Sequence, residues 1–436
     1  GGHLRGADPE VDDVDPRVVG PPGELGAPPL ARRLRRGTGR DRLLDRDQDA
    51  GRDDVAHLEV GVAPVGLQPG AALDRVLRKG GAQLVDPLPA GGDRHQVVGV
   101  SEFADGGEAM VRSTPRIGKA ARLEGSRLRA ALCAASLGED TGGSGRTPAS
   151  WCGVVGLRPT WGRVSRHGSF PLSWSMDTAG PLTRTVEDSA RLLQIIAGYD
   201  PKDPLTSRRP VPDYSVTLKD GVRGLRVGII SELTFGAETD AEVRAAVVDA
   251  ARRLEGLGAV MEEISLPLLA LAGAIFMALA DSDGAGLHQR WLRARPMDYD
   301  QGTRRRLLAA SLIPAATYHQ AARARALLRM QLRDTLGRYD LLLCPTAHQA
   351  APPIATGRAA ITTREEVAGR FFTRRSYVTP AALAGTPAIA LPCGFTRSGL
   401  PISLQLLGRP FGEATLLRAA HAYEQETDWS TRRPPL

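Results

Sequence analysis

One run of nine residues, Gly138-Glu139-Asp140-Thr141-Gly142-Gly143-Ser144-Gly145-Arg146, joins the residue types and spacing that acyl chemistry needs. Two adjacent glycines reach backbone dihedrals closed to other residues and keep side chains out of the way. Such a turn can aim several N–H groups at one point and form a concave anion site. With Ser144 on its rim, the same N–H groups can stabilise the oxyanion made when the hydroxyl attacks a carbonyl. Two other chemistries are excluded. Arg146 stands where a Gly-x-Ser-x-Gly nucleophile elbow needs glycine, and no Gly-Lys-Ser/Thr follows to make a phosphate loop.

The flanking elements must hold that turn. Ala131–Leu137 reads as the end of a helix entering it, and Thr147–Val164, dense in apolar and turn residues, reads as its buried frame. Gly153–Leu157 is a short apolar run, expected to be a buried strand. Thr185-Val-Glu-Asp188 is a variant capping box opening a helix through Ile196, with Gly198 as its stop. Pro201–Thr217 is a polar, proline-rich loop. Leu225–Ile230 and Ala259–Ile264 read as strands around a helix at Thr239–Leu257, whose first-turn Asp240 and Glu242 suit the helix dipole. That order implies α/β packing. Helices are expected at Leu268–Leu287, Gly302–Leu336, Thr379–Gly385 and Glu413–Thr427. Strands are expected at Tyr339–Thr346, Ala388–Leu391 and Ile402–Leu406, the last two as a hairpin. The arginines of Gly302–Leu336 read as a solvated helix face.

The 436 residues carry a net charge of +7 at pH 7, with four lysines, Lys79, Lys119, Lys202 and Lys219, and no asparagine. The basic residues are scattered and lack aromatic interleaving, so direct nucleic-acid binding is not expected. Cys133, Cys152, Cys344 and Cys393 show no metal-ligand spacing and do not suggest a disulfide framework; Cys133 and Cys152 read as buried thiols. No apolar run reads as long enough to cross a bilayer and no signal-peptide layout opens the chain, so the expected place is the cytoplasm.

The run Ala134–Thr185 closely resembles the amidase signature family, whose hallmark is Gly-x-Asp-Thr-Gly-Gly-Ser-x-Arg. The resemblance extends over about Ala131–Leu436, including the Gly-Leu-Pro-Ile-Ser-Leu-Gln and Gly-Arg-Pro-Phe segments near the end. It implies a central mixed sheet flanked by helices. It makes Ser144 the nucleophile, the backbone of Thr141, Gly142, Gly143 and Ser144 the oxyanion hole, and Asp140 and Arg146 the braces of the loop. Gly145 departs from the family, which usually has an aliphatic residue there, and this could loosen the turn. The implied reaction hydrolyses a small-molecule carboxamide to acid and ammonia through an acyl-enzyme, with no cofactor or metal. A homodimer is the family-weighted state. The alternative is the A subunit of glutamyl-tRNA(Gln) amidotransferase, which frees ammonia from glutamine beside companion chains. The substrate region would lie around Ala347–Arg375.

Family members deprotonate the serine through a neutral buried lysine and a second serine, and a lysine serves only if its pKa is lowered. Neither has a counterpart in this sequence. Arg35–Ala50 holds no lysine, and Lys79 and Lys119 lack the setting. The second serine should fall near 120, where Ala120, Ala121 and Arg122 stand; Ser126 lacks the glycine context. His95 and His167 are lone, and His167 reads as a surface-loop residue. Residues 1–130 form an atypical segment without an aromatic residue before Phe103 or an isoleucine before Ile117. Such a segment has few large side chains to bury and reads as disordered. It also has the composition that a shifted reading frame draws from a GC-rich gene. The window Lys119–Ala130 fits this, since its codons can spell Gly-Gly-Ser in another frame. Residues 131–436 are the expected amidase signature domain. A third alternative, an inactive remnant lacking the catalytic lysine, follows from the missing relay.

Overall fold

In this computed structural model the described residues are 96–103, 109–115, 125–353 and 375–432. The shifted-frame reading, Arg35–Ala50, Ala120–Arg122, Lys79, Lys119 and His95 lie outside them, as does most of Ala347–Arg375. Short runs, mostly apolar, supply ten strands: β1 (Gln96–Phe103), β2 (Ala109–Pro115), β3 (Ala135–Glu139), β4 (Val155–Arg158), β5 (Ala179–Thr183), β6 (Arg226–Ile230), β7 (Val260–Ile264), β8 (Leu341–Pro345), β9 (Ala388–Phe395) and β10 (Pro401–Gly408). They form one sheet in the order β2-β1-β3-β5-β4-β9-β10-β8-β6-β7. β6 runs parallel to β7 and β8, and the other neighbours are antiparallel. The sheet is therefore mixed, and β1 and β2 join it from within the stretch that composition marks as atypical.

The period of two along each strand divides the core. In β8, Leu341 and Leu343 join one cluster, and Leu342 and Cys344 the other. In β10, Leu404 and Leu406 face the first cluster and Leu407 the second. A strand buried on both faces reads as a continuous apolar run, as Leu341–Pro345 does. The first face is covered by α2 (Val186–Ile196), α3 (Ala241–Gly256) and α8 (Glu413–Gln425). The second is covered by α4 (Ala272–Ala294), α6 (Ala315–Arg338) and α7 (Thr379–Ala384). Two further helices are α1 (Arg146–Cys152) and α5 (Gln301–Ala310). The Thr185 hydroxyl caps α2 by accepting from Asp188 N at 3.1 Å, a contact worth about 1 kcal/mol.

Three expectations are corrected. The helix expected over Ala131–Leu137 is absent: a helical segment ends at 129, Ala131 turns at φ 58°, and Ala135–Glu139 pairs with β5 as a strand. Helix propensity is a weak prior, and the slot between β1 and β5 overrides it. The region Gly302–Leu336 is two helices, because Pro314 lacks an N–H and starts α6 anew. Its arginines are not all solvated. Arg306 binds Asp281 of α4, and Arg325 donates to Leu383 O at 2.8 Å and Ser175 Oγ at 2.8 Å. Third, the stretch Pro267–Ala294 is long and apolar enough, by length and composition, to cross a membrane. In the fold it is a core helix, burying Ile275, Phe276 and Leu279, with Asp281 and Asp283 also buried and partnered.

The junction of α8 with α2 carries a pH dependence. Both Glu424 oxygens accept from Val186 N, at 3.0 and 3.1 Å. Burial pushes the carboxyl up to about 7; the Val186 N–H opposes this, and Asp188 and Glu187 add to it. A carboxyl raised in the fold binds its proton more tightly there than in the unfolded chain. Its contribution is thus full below the unfolded value near 4.3 and is lost as pH rises through about 7. Glu424→Gln is expected to melt above wild type at pH 8, by about 1–3 kcal/mol of stability, and to lose that advantage by pH 5. Thermal melts of both proteins across this range measure it.

Candidate active site

The loop between β3 and α1 is held from below by one carboxylate. Asp140 is 1% exposed and accepts from Gly143 N at 2.7 Å, Gly145 N at 3.3 Å and Arg146 N at 3.4 Å. These bonds wrap the chain into the turn that starts α1. Asp140 also pairs with Arg146 Nε at 3.0 Å and Arg158 Nη1 at 3.1 Å, both arginines fully buried. Burial by itself would raise the Asp140 carboxyl; Arg146 and Arg158 outweigh it and hold the group well below the usual carboxylate range. Burial lowers Arg158 to about 10, with Asp140 resisting. Arg158 reaches Met176 O at 2.8 Å, and Arg146 donates to Gln405 of β10, whose Nε2 binds Tyr377 O at 2.8 Å. The loop is thereby tied to β4 and β10.

The two glycines answer close packing from above. A Cβ at Gly142 would fall 2.2 Å from the Phe276 ring of α4, and one at Gly143 2.3 Å from Val378. Gly143 also takes φ +113°, a conformation that side chains disfavour. Gly145 is different: φ −82° and ψ −46° are ordinary helical values, and its Cβ would have 3.5 Å of room.

Ser144 stands exposed at the tip. Among the described residues, no hydrogen bond reaches its hydroxyl, and no acceptor meets the N–H groups of Thr141, Gly142 or Ser144. The Gly143 N–H is committed to Asp140 Oδ1. The geometry therefore leaves three free N–H donors beside one free hydroxyl. Thr141 is fixed by its own side chain, whose hydroxyl donates to Asp177 Oδ1 at 2.7 Å. Asp177 also accepts from Leu172 N and Ser173 N, both at 2.8 Å. Its carboxyl is raised by burial against those bonds. Beside this pair lies a cavity of about 190 Å³, lined in part by Glu139, Arg166, His167 and Asp177.

The profile of the Amidase family matches residues 124–417. The chain belongs to the amidase signature family. It is 39% identical over 332 residues to the A subunit of the glutamyl-tRNA(Gln) amidotransferase from Moorella thermoacetica, covering 69% of this chain and 65% of that one. The crystal structure of the corresponding A subunit from Thermotoga maritima superposes with a TM-score of 0.61 at 31% identity, over 71% of this chain and 66% of that one. A peptide amidase in complex with the competitive inhibitor chymostatin gives 0.57 at 30% identity, over 70% and 65%. The chain thus spans just under two-thirds of the length of these relatives.

Other parts of this site left little trace in the sequence. Arg158 could have been noticed as a charge ending an apolar strand. Asp177, Gln405, Phe276 and Val378 come from elsewhere in the chain and had no local signal. The thiols are unsuited to nucleophilic work: burial pushes Cys344 up to about 12 and raises Cys393 further. Cys133 is buried and Cys152 partly so. His167 lies on the cavity wall. Among the described residues, no group of three or more His, Cys, Asp or Glu could hold a metal ion.

Proposed function

We propose that the chain is the nucleophile-bearing part of an amidase that hydrolyses a carboxamide through an acyl-enzyme on Ser144. The observation that carries this reading is the exposed Ser144 hydroxyl beside the unengaged N–H groups of Thr141, Gly142 and Ser144. The hydroxyl oxygen attacks the carbonyl carbon, and the N–H groups receive the charge that develops on the carbonyl oxygen. Ammonia leaves, and water then releases the acid. Serine needs a base to take its proton. Among the described residues, neither an amine nor an imidazole is hydrogen-bonded to Ser144. Linear amides are the substrate class this chemistry fits.

The identity with A subunits of glutamyl-tRNA(Gln) amidotransferases favours a second reading. On it, glutamine is the amide and companion chains use the ammonia. Glutaminase turnover that rises when such chains are added would select it.

Ser144→Ala tests both. Ammonia release is expected to fall at least about a thousandfold, with an unchanged melting temperature because no bond of the hydroxyl is lost. Equal turnover in both proteins would reject Ser144 as nucleophile. Absence of turnover in the unaltered chain would favour the inactive-remnant alternative.

A further inference from the structure

Glu139 ends β3, and the pleat sends it to the face opposite Gly138, whose missing Cβ points at Leu182 and Gly145. It lines the cavity beside the oxyanion loop, and its Oε1 is buried with no hydrogen-bond partner among the described residues. Three neighbouring charges on that wall are answered, while Lys202 and His167 also line it. Asp177 accepts from Thr141, Leu172 and Ser173. Asp203 accepts from Arg166 N at 2.9 Å and Leu205 N at 3.1 Å. Arg166 donates from Nε to Asp203 at 3.4 Å and from Nη1 to Trp174 O at 2.6 Å. A buried carboxyl with no donor is costly unless a ligand supplies one.

We propose that this cavity binds the ammonium group of a small amine, with Glu139 as the counter-charge. An ammonium brings three donors and no acceptor, which is the complement of Glu139. Trp174, half-exposed, also lines the cavity, and an indole is the aromatic ring that attracts cations best. A cavity of about 190 Å³ suits an alkylammonium rather than a larger ligand. Burial, reinforced by Asp177 and opposed by Arg166, raises the Glu139 carboxyl well above its usual range, a penalty that an adjacent cation relieves. The Asp177–Thr141 bond sets the cavity directly beside the oxyanion loop. The amine's being part of the amide substrate rests on the amidase reading; its binding does not.

The test is calorimetric titration of n-butylammonium chloride into the full chain carrying Ser144→Ala, with n-pentanol and sodium acetate as the neutral and anionic probes. Saturable binding of butylammonium alone is expected, weakened at least about tenfold by adding Glu139→Gln. Pentanol or acetate binding as tightly as butylammonium would overturn the proposal, as would undiminished binding in a folded Glu139→Gln protein. If that variant fails to fold, the comparison of the three probes on the unaltered cavity decides. Because no turnover is involved, a negative result leaves the assignment of Ser144 intact, and loss of ammonia release would not bear on the cavity.

Discussion

Asp140→Asn is expected to destabilise the protein by about 3–5 kcal/mol. The substitution keeps the shape but removes the charge that faces Arg146 and Arg158, both fully buried. Two guanidinium groups would then sit in the interior without the carboxylate that pairs them, and an uncompensated buried charge is the expensive case. The N–H groups of Gly143, Gly145 and Arg146 would also exchange a charged acceptor for a neutral one. Urea unfolding of the two proteins at pH 7 measures the cost. A loss below about 1 kcal/mol would mean that Gln405 or a backbone carbonyl takes over the arginines. The pH dependence has a fixed sign. Asp140 is held below its usual value in the fold, so its contribution is complete above the unfolded value near 3.9 and drains away as pH falls towards the folded one. Wild type should therefore lose stability steeply below about pH 4, and Asp140→Asn should show a shallower acid limb.

Gly143→Ala is expected to cost about 3 kcal/mol, from a backbone held at φ +113° and a Cβ driven to 2.3 Å from Val378. Adding Val378→Ala should recover part of this, because it removes the clash and leaves the strain. Complete recovery would show that packing was the whole cause. Gly145→Ala is the contrast. Its helical dihedrals and 3.5 Å clearance predict a gain of about 0.4–1 kcal/mol. The departure from the aliphatic residue usual in the family thus leaves the turn intact, because Asp140 holds the neighbouring N–H groups whatever the side chain at 145.

Much of the fold was legible because it is written locally. Thr185 caps its helix as its position announces, and Asp240, expected in the first turn, stands one place earlier as the N-cap of a helix that starts at Ala241. The β6–α3–β7 unit follows from two apolar runs around a periodic helix, and the β9–β10 hairpin from two runs joined by a polar turn. Ala131–Leu137 misleads for the same reason. Its composition favours a helix, and its place between β1 and β5 is a non-local fact that short-range propensity does not contain.

The sequence by itself determined the chemistry available at Gly138–Arg146 and the family to which that run belongs. It did so because a small-residue turn with a serine needs particular residues at fixed spacing. The tertiary structure decided which N–H groups remain free, since Asp140 captures that of Gly143 and leaves those of Thr141, Gly142 and Ser144. It decided as well why glycine is required at 142 and 143, where Phe276 and Val378 press from distant parts of the chain. It also set Glu139 unanswered in a cavity beside Asp177, a pairing of residues 38 apart that depends on how β3 meets the loop before β5. Local spacing encodes reactivity; charge balance and steric limits arise where remote segments are pressed together.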